Sequence, residues 1–370
     1  MINLSKQELE ILDLLIDKRQ NFVIYKLPHS RKWQFRMQDV GEPQLFTDIK
    51  DLNGEEGYVI TPFQVSTEYP IVLLKPTKHS LPTMEEVEQM VSLKSDTLYG
   101  GVERDDDELL TRYQTCFTSF MDYLENKSID KLVLARQKRV NPKFDYSIAK
   151  AFEKACSTYP NTYVYLLNTT QTGTWMGSTP EMILSGSGTK WQTVALAGTK
   201  KYTDGIVIEW DKKNILEQDI VSQYMEMQFN KLNVPVNRTG PTTVQAGQLA
   251  HLKTDFNFEL NNRDHLGDIL KLLHPTPAVC GLPKEEAFQF IIANEPENRS
   301  YYSGFIGELS PKGSTDLFVN LRCVQIHQKS YTLYAGGGLL GSSTLESEWL
   351  ETENKMQTMQ SILLTNKCEN

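Results

Sequence analysis

Apolar residues recur at helical spacing close to the start of the chain. Leu9 and Leu12 fall on one face, and Ser5 followed three residues later by Glu8 forms a capping box, so the pattern predicts an amphipathic helix over 5–18. The same period predicts further helices at 107–126, 207–231, 284–294 and 344–364.

Runs rich in β-branched and aromatic residues, separated by Gly, Pro and Asp, predict strands along most of the chain. Many of these runs are joined by short turns, and strands joined in this way cannot be parallel. The pattern therefore predicts an α+β fold with antiparallel pairing rather than a parallel array of alternating strands and helices. The predicted strands are 21–28, 31–37, 69–76, 130–140, 162–168, 173–178, 181–186, 191–199, 302–309, 315–328 and 331–336.

Charge and length exclude several classes of protein. The 370 residues include 38 basic and 47 acidic side chains, a net charge of −9, and these charges are scattered rather than gathered into a basic surface for nucleic acid. No apolar stretch approaches the roughly 18 residues of a membrane helix, and the acidic residues among the first leucines are foreign to a signal peptide. Composition predicts a cytoplasmic protein that binds neither nucleic acid nor membrane.

Cysteines and histidines give no sign of a disulfide framework or a zinc site. The cysteines are odd in number and far apart, and the histidines never approach HExxH spacing. We expect reduced thiols, and any metal is expected to be bound by oxygen. The cysteines are Cys116, Cys156, Cys280, Cys323 and Cys368.

A glycine run beside a charged helix is the first candidate for chemistry. Three glycines, 336–338, end a predicted strand, and Glu348, Glu351 and Lys355 share one stripe of the helix that follows. Glycine lets the backbone approach a ligand closely, and two carboxylates beside an ammonium could hold a hard cation and an organic anion together. A solvated helix face with an i,i+4 ion pair is the plain alternative.

Two cations lie inside segments with the alternation of partly buried strands. Arg322 stands in LFVNLRCVQI and Lys131 in DKLVLARQKRV. A lone buried cation is costly without a partner, so each is a candidate ligand group, and Lys131 is a candidate general base. The alternative is that both lie on the solvated faces of half-exposed strands.

Two further segments combine residues that are typical of turns with polar groups. Pro180 places Glu181 at a strand start, and residues 196–199 end a strand with N–H groups that could receive a carboxylate. HPTPAVCGLP, at 274–283, is a rigid connection that serves equally well as a structural turn.

Taken together, these segments resemble the chorismate-utilising enzymes, a family that includes isochorismate synthases, salicylate synthases and the large subunits of anthranilate and aminodeoxychorismate synthases. Nine blocks occur in the family order over about 110–365. They are DKLVLAR, GSTPEMIL, ALAGTK, LAHLKT, LHPTPAVCG, ENRSYYSGFIG, LFVNLRCVQI, YAGGG and EWLETENK.

The resemblance implies one large α+β domain of antiparallel sheets wrapped by helices. Residues 1–100 would form an N-terminal α+β section of that domain, and 101–370 the chorismate-binding catalytic region. It also implies a Mg²⁺-dependent site that binds a small dicarboxylate, chorismate, in a protein that is a monomer or a weak dimer.

Site roles follow from the resemblance, position by position. Lys131 matches the lysine that activates water, and Glu181 the acid that protonates the departing 4-hydroxyl. Glu217 and Glu351 match the Mg²⁺ carboxylates, with Glu348 as their neighbour. The remaining substrate contacts implied are Gly198, Thr199, His251, Tyr302, Arg322, Gly336, Gly338 and Lys355.

The chain departs from the family pattern at two positions. The usual Glu-His of the metal helix is Glu217-Gln218 here, and the usual Arg-Gly before the tyrosine block is Arg299-Ser300. The carboxylate ligand is kept, whereas its surroundings are expected to differ.

The preferred hypothesis is an isochorismate synthase that serves menaquinone or siderophore biosynthesis. Lysine at 131 suits water as the nucleophile, whereas members that use ammonia typically carry glutamine there. A salicylate synthase, which carries out the same first step and then eliminates pyruvate, is the alternative. A non-catalytic chorismate-binding protein is a third hypothesis, which the retained Lys131, Glu181, Glu217 and Glu351 disfavour.

Overall fold

The computed structural model describes residues 2–94, 105–127, 129–141, 147–205, 207–247 and 249–363. Its helices are α1 (Lys6–Asp17), α2 (Met84–Gln89), α3 (Asp106–Lys127), α4 (Ile148–Thr158), α5 (Lys212–Lys231), α6 (Leu266–Leu273), α7 (Lys284–Asn294) and α8 (Leu345–Leu363), with a 3₁₀ turn at Ile49–Leu52. Its strands are β1 (Asn21–Lys26), β2 (Trp33–Gln38), β3 (Gln44–Phe46), β4 (Gly57–Thr61), β5 (Ile71–Leu74), β6 (Lys131–Val140), β7 (Tyr163–Thr169), β8 (Gly173–Thr179), β9 (Met182–Ser187), β10 (Lys190–Lys201), β11 (Val236–Ala246), β12 (Leu249–Glu259), β13 (Gly281–Leu282), β14 (Phe305–Leu309), β15 (Ser314–Val319), β16 (Cys323–Ile326) and β17 (Tyr331–Leu339).

The strands form two antiparallel sheets, which confirms the predicted α+β class. Within the described ranges, sheet A has the order β13-β6-β17-β16-β8-β7-β1-β2, and sheet B has the order β11-β12-β10-β9-β15-β14-β4-β5-β3. Strands from the first 75 residues thus extend both sheets, since β1 pairs with β7 in sheet A and β4 pairs with β14 in sheet B.

The two sheets pack face to face, with helices on their outer faces. Leu12 of α1 and Phe152 of α4 pack on the outer face of sheet A, and Phe229 of α5 and Leu270 of α6 pack on that of sheet B. Between the sheets lies an aromatic layer, defined by its buried members Tyr25, Tyr58, Tyr163, Tyr165, Trp175, Tyr301, Tyr302, Phe318 and Tyr334.

Tyrosine hydroxyls inside this aromatic layer are paired rather than left unsatisfied. The Tyr58 and Tyr163 hydroxyls lie 2.5 Å apart, one from each sheet, and the Tyr165 hydroxyl donates to Asn320 Oδ1 at 2.6 Å. Buried hydroxyls are costly without such partners, so the pairs fix how the two sheets meet.

Most predicted elements are confirmed, with two corrections. The capping box of Ser5 and Glu8 is present at the start of α1. The helix predicted at 207–231 begins only at Lys212, because Asp211 caps it by accepting a hydrogen bond from the Asn214 N–H. The strand predicted at 315–328 is two strands, because Arg322 has a φ of 46° and the left-handed backbone interrupts the ladder.

Other segments were not anticipated. The β11–β12 hairpin, β3, β4, α2, α4 and α6 had no counterpart among the predictions. Glycines and an acidic run at about 77–108 favour a flexible linker in the sequence; this segment contains α2 and the start of α3, and its residues 95–104 lie outside the described residues. Of the five cysteines, Cys116, Cys156, Cys280 and Cys323 are free thiols, and Cys368 is outside the described ranges. In those ranges no helix combines the length and apolarity needed to cross a membrane.

Candidate active site

A cleft of about 600 Å³, including the part open to solvent, lies where the two sheets meet at one end of the aromatic layer. Sheet A supplies the wall through β6 and β17, and sheet B through β10 and β12. Ten of the predicted site residues line this cleft: Glu181, Gly198, Thr199, Glu217, His251, Tyr302, Arg322, Gly336, Gly338 and Lys355.

The three glycines of β17 allow functional side chains to lie against the strand. A Cβ at Gly338 would lie 2.4 Å from Glu217 Oε1 and 2.8 Å from Lys131 Cε, and one at Gly336 would lie 3.0 Å from the Tyr302 hydroxyl. A Cβ at Gly337, on the opposite face, would lie 2.8 Å from Glu348 Oε2. The close approach predicted for this glycine run is therefore made by the protein's own polar groups.

Lys131 lies behind the cleft wall and reaches it through Glu217. Its side chain is fully buried, and its Nζ is 2.8 Å from Glu217 Oε1. Burial alone would raise the pKa of Glu217, but the charges of Lys131, Lys355 and Lys213 together outweigh burial and hold that pKa below its ordinary value. Glu217 and Lys131 thus form a buried ion pair at the edge of the cleft.

Glu181 is a buried carboxyl group with an unusually high proton affinity. Burial raises the pKa of Glu181 to about 7, against the opposing effects of a hydrogen bond from Thr276 and of the nearby Lys131 charge. The Thr276 hydroxyl donates to Glu181 Oε1 at 3.1 Å. Thr276 belongs to the HPTPAVCG segment, so this connection does contact a predicted site residue.

Arg322 and His251 form a buried pair with defined hydrogen-bond roles. The His251 Nδ1–H donates to the Gly198 carbonyl at 2.8 Å, and an Arg322 guanidinium N–H donates to His251 Nε2 at 3.2 Å. Burial, reinforced by the Arg322 charge, lowers the pKa of His251 to about 3. His251 is therefore a neutral ring in a single tautomer that orients Arg322.

The Arg322 guanidinium is a cation without a matching anion. Its side chain is 7% exposed, and no carboxylate of the described chain lies within ion-pair distance of it. Burial lowers the pKa of Arg322 to about 10. A buried guanidinium of this kind matches a carboxylate of a ligand.

One N–H group of the β10 wall already has a partner within the protein. The Thr199 N–H donates to Asn214 Oδ1 at 2.9 Å, so a ligand carboxylate would have to displace Asn214 to reach it, and the predicted role of this segment stays a prediction. Gly198 has a φ of 71° beside a bulge between Ala197 and Lys200, and a Cβ there would lie 3.0 Å from Asn214 Oδ1. The bulge frees the Gly198 carbonyl to accept from His251.

Each carboxylate that is predicted to bind the metal is paired with the ammonium group of a lysine. Lys131 Nζ lies 2.8 Å from Glu217, and Lys213 Nζ lies 2.5 Å from Glu348 Oε1. Lys355 Nζ lies 2.6 Å from Glu351 and donates to the Gly336 carbonyl at 2.8 Å, so the predicted i,i+4 pair is present but faces the site. In the described ranges, no group of three His, Cys, Asp or Glu side chains is arranged closely enough to hold a metal ion without some movement of the side chains.

The donor chemistry nevertheless fits a hard cation. The three side chains offer carboxylate oxygens alone, which Mg²⁺ prefers. Glu348 is fully buried, and its Oε2 has no hydrogen-bond partner among the described residues. Burial and the nearby Glu351 charge raise the pKa of Glu348. An unused buried carboxylate oxygen of this kind is the atom that a cation would satisfy.

The two departures from the family pattern have structural outcomes. Gln218 is buried, and its Nε2 donates to the Ala195 carbonyl and the Thr254 hydroxyl at 3.0 Å each, so it joins α5 to sheet B. Ser300 has a φ of 52°, the left-handed conformation that favours glycine. A serine thus adopts here a conformation that glycine would adopt more easily.

Sequence reasoning overlooked three residues that contact the site. They are Thr276, Lys213 and Asn214, which contact Glu181, Glu348 and Thr199 respectively. Nothing in the sequence marked Asn214 except its position shortly after a helix cap. Lys213, in contrast, lies four residues before Glu217, a spacing that is typical of ion pairs on a helix face.

Known proteins resemble this chain in sequence and in fold. A family model described as chorismate binding enzyme matches residues 74–364. The isochorismate synthase EntC of Escherichia coli K12 is 28% identical over 243 residues, which cover 62% of this chain and 61% of EntC. Anthranilate synthase component 1 of Aquifex aeolicus is 28% identical over 257 residues, 64% of this chain and 50% of that protein. The chain thus matches about three fifths or less of the length of these two relatives.

A solved structure shows the same fold over nearly the whole chain. The menaquinone-specific isochorismate synthase MenF of Escherichia coli superposes with a TM-score of 0.75 at 22% identity, covering 95% of this chain and 91% of MenF. The family model covers well over half of the chain, and every residue that lines the cleft lies within the part it matches. The chain therefore belongs to the chorismate-binding enzyme family.

Proposed function

We propose that this protein is an isochorismate synthase, which converts chorismate to isochorismate by adding water at C2 of the ring while the C4 hydroxyl leaves. The observation that carries the proposal is that a buried, protonatable carboxyl group, Glu181, lines one cleft together with the unpaired guanidinium of Arg322, while a buried amine, Lys131, lies behind the wall of that cleft in contact with Glu217. An acid, a base and a carboxylate receptor are the three groups that this reaction needs.

Glu181 is proposed as the acid. A carboxyl group whose pKa is raised to about 7 by burial retains a substantial protonated fraction near neutrality, and it can give that proton to the departing hydroxyl. Thr276 holds Oε1, which leaves Oε2 to carry the proton towards the substrate.

Lys131 is proposed as the base that takes a proton from the attacking water, a role that requires the ammonium paired with Glu217 to lose its own proton before that step. Its Nζ contacts Glu217, so the amine is held at one place beside Gly338, where no side chain separates the strand from the cleft. A positioned base and acid acting in one step contribute about 10²–10⁴-fold each in rate.

Carboxylate recognition is assigned to Arg322 and to the metal site. The Arg322 guanidinium, with Tyr302, which also lines the cleft, would receive the enolpyruvyl carboxylate. Glu217, Glu348 and Glu351 would hold Mg²⁺, which would neutralise the ring carboxylate when bound.

The test is product analysis. Purified protein is incubated with chorismate and Mg²⁺, with and without EDTA, and isochorismate, salicylate and anthranilate are separated by chromatography. We expect isochorismate, its formation abolished by EDTA and restored by excess Mg²⁺. Salicylate with pyruvate would identify a salicylate synthase, anthranilate formed on addition of ammonia would identify an anthranilate synthase, and no turnover under any condition would identify a binding protein.

A further inference from the structure

Lys213 lies on the acidic side of the site, in contact with one of its carboxylates. It is in the first turn of α5, and its Nζ is 2.5 Å from Glu348 Oε1. The ammonium of Lys213 therefore contacts one of the three carboxylates that would ligate a metal ion.

Exposure shows that Lys213 approaches Glu348 from solvent. The Lys213 side chain is 26% exposed, whereas that of Glu348 is fully buried. Glu348 Oε1 also accepts from the Ser343 hydroxyl at 2.8 Å, while Oε2 is the buried oxygen without a partner. A buried carboxylate in this position needs a cation close to it. The long, flexible side chain of Lys213 supplies that cation from the solvent side, and it can also swing back into solvent.

The other two lysines of the site are held more firmly. Lys131 is fully buried beside Glu217, and Lys355 is bound both to Glu351 and to the Gly336 carbonyl. In the described part of the chain the Lys213 ammonium contacts Glu348 alone. Of the three ammoniums, that of Lys213 requires the fewest contacts to break when it moves away.

We propose that the Lys213 ammonium and a divalent cation compete for Glu348, so that Lys213 neutralises the carboxylates until a metal ion displaces it. This inference rests on the proposed metal site. A cation that must displace an ammonium binds more weakly than one that enters an open carboxylate cluster, because breaking the ion pair offsets part of the binding free energy. Lys213 thus limits the affinity of the site for Mg²⁺.

The test compares Lys213→Met with Lys212→Met. Methionine keeps an unbranched stem without the charge, and Lys212 is the exposed neighbour whose removal changes the net charge equally. Binding of Mg²⁺ alone is measured by calorimetry and binding of Mn²⁺ by electron paramagnetic resonance, both without substrate. We expect Lys213→Met to bind either ion on the order of tenfold more tightly than the wild type, and Lys212→Met to match the wild type.

A second measurement does not depend on metal affinity. In EDTA, Lys213→Met should melt several degrees below Lys212→Met, because the buried Glu348 then lacks its cation, and saturating Mg²⁺ should close that gap. Lys213→Arg keeps a cation in place, so it should bind Mg²⁺ no more tightly than the wild type and keep its melting temperature in EDTA.

The outcomes separate the two proposals. If the wild type binds neither ion, the proposed metal site is wrong. If the wild type binds Mg²⁺ while Lys213→Met binds it equally or more weakly, the metal site stands and the competition is refuted. Equal tightening in Lys212→Met would also refute it, since a general charge effect would then explain the result.

Discussion

Thr276 donates its hydroxyl to Glu181, and this single contact influences how the cleft responds to pH. A hydrogen bond to a carboxylate stabilises its charged form, so the Thr276 contact lowers a pKa that burial has raised to about 7. If Glu181 is the acid, kcat/KM must fall as pH rises through that value, because the proton to be donated is lost.

Thr276→Val should therefore move this alkaline decline to higher pH, since the variant no longer stabilises the Glu181 carboxylate. The measurement is the pH profile of kcat/KM for chorismate. Thr193→Val, which removes a buried hydroxyl bonded to the Ile183 carbonyl outside the cleft, serves as the control. A decline that stays in place or moves to lower pH in Thr276→Val would contradict the assignment of Glu181.

Arg322→Lys should raise the KM for chorismate by at least roughly tenfold, because a point ammonium cannot reproduce the two parallel hydrogen bonds of a guanidinium on a carboxylate. Steady-state kinetics provide the measurement, and Arg238→Lys on the surface, where Arg238 pairs with Glu226, is the control. A KM unchanged in Arg322→Lys would show that this side chain receives no carboxylate.

Residue types in the site were predictable, but their contacts were not. Lys131 and Arg322 stood out because charge inside an apolar segment needs a partner, whereas Glu181 gained its role from the family resemblance. The tautomer of His251 and the placement of Lys213 depend on side chains that are far away in sequence, which no local pattern encodes.

At the scale of elements, β17 differs from an ordinary strand because its three glycines face polar groups on both sides. Gly338 faces the Lys131–Glu217 pair, and Gly337 faces Glu348 on α8. One strand therefore sets the distance between the proposed base and the proposed metal ligands.

Gly338→Ala should lower kcat by roughly 100-fold, because the new Cβ would force the Lys131–Glu217 pair to shift, and displacements of about 1 Å have effects of this size. Gly341→Ala is the matched control, since a Cβ there meets no atom within 4 Å. Both variants are compared by steady-state kinetics and circular dichroism. Full activity in Gly338→Ala would show that the close approach is not needed.

Elements with strong local signals were predicted well. The capping box of α1 fixed its start within one residue, and the short turns that join β7 to β8 and β9 to β10 indicated antiparallel pairing within each pair. The break at Arg322 was missed because a left-handed arginine is held by its tertiary surroundings and leaves no pattern in the sequence.

At the scale of the whole molecule, buried histidines link stability to pH. His274 donates to the Phe63 carbonyl at 3.2 Å, and burial, aided by the Lys284 charge, lowers the pKa of His274 to about 3. In the unfolded chain the pKa of histidine is about 6.5. As pH falls between these values the unfolded chain takes up a proton that the folded protein does not, so stability is lost.

His274→Gln should therefore make the free energy of unfolding less dependent on pH between 6 and 4, by about 1.4 kcal/mol per pH unit. Glutamine can still donate to the Phe63 carbonyl, which keeps the hydrogen bond. Urea unfolding at a series of pH values provides the measurement, with the exposed His79→Gln as the control. An identical slope in His274→Gln and wild type would contradict the neutral, buried state of His274.

The fold class was predictable from the sequence, whereas which strands pair with one another was not. Short turns predicted antiparallel neighbours, yet β1 pairs with β7 across more than 130 residues, and the N-terminal strands are divided between both sheets. Such pairings follow from which apolar faces meet, which depends on the whole chain.

The aromatic layer between the sheets is continuous with the cleft, since Tyr302 stacks on Tyr334 and Tyr334 on Trp175. Because the two walls of the cleft come from different sheets, the thickness of this layer acts as a spacer that sets the width of the opening. The Tyr58–Tyr163 contact, one hydroxyl from each sheet, is part of that spacer although neither residue lines the cleft. Exchanging aromatic side chains in this interior layer would therefore change the range of ring sizes that the cleft admits, without replacing any side chain that lines the cleft.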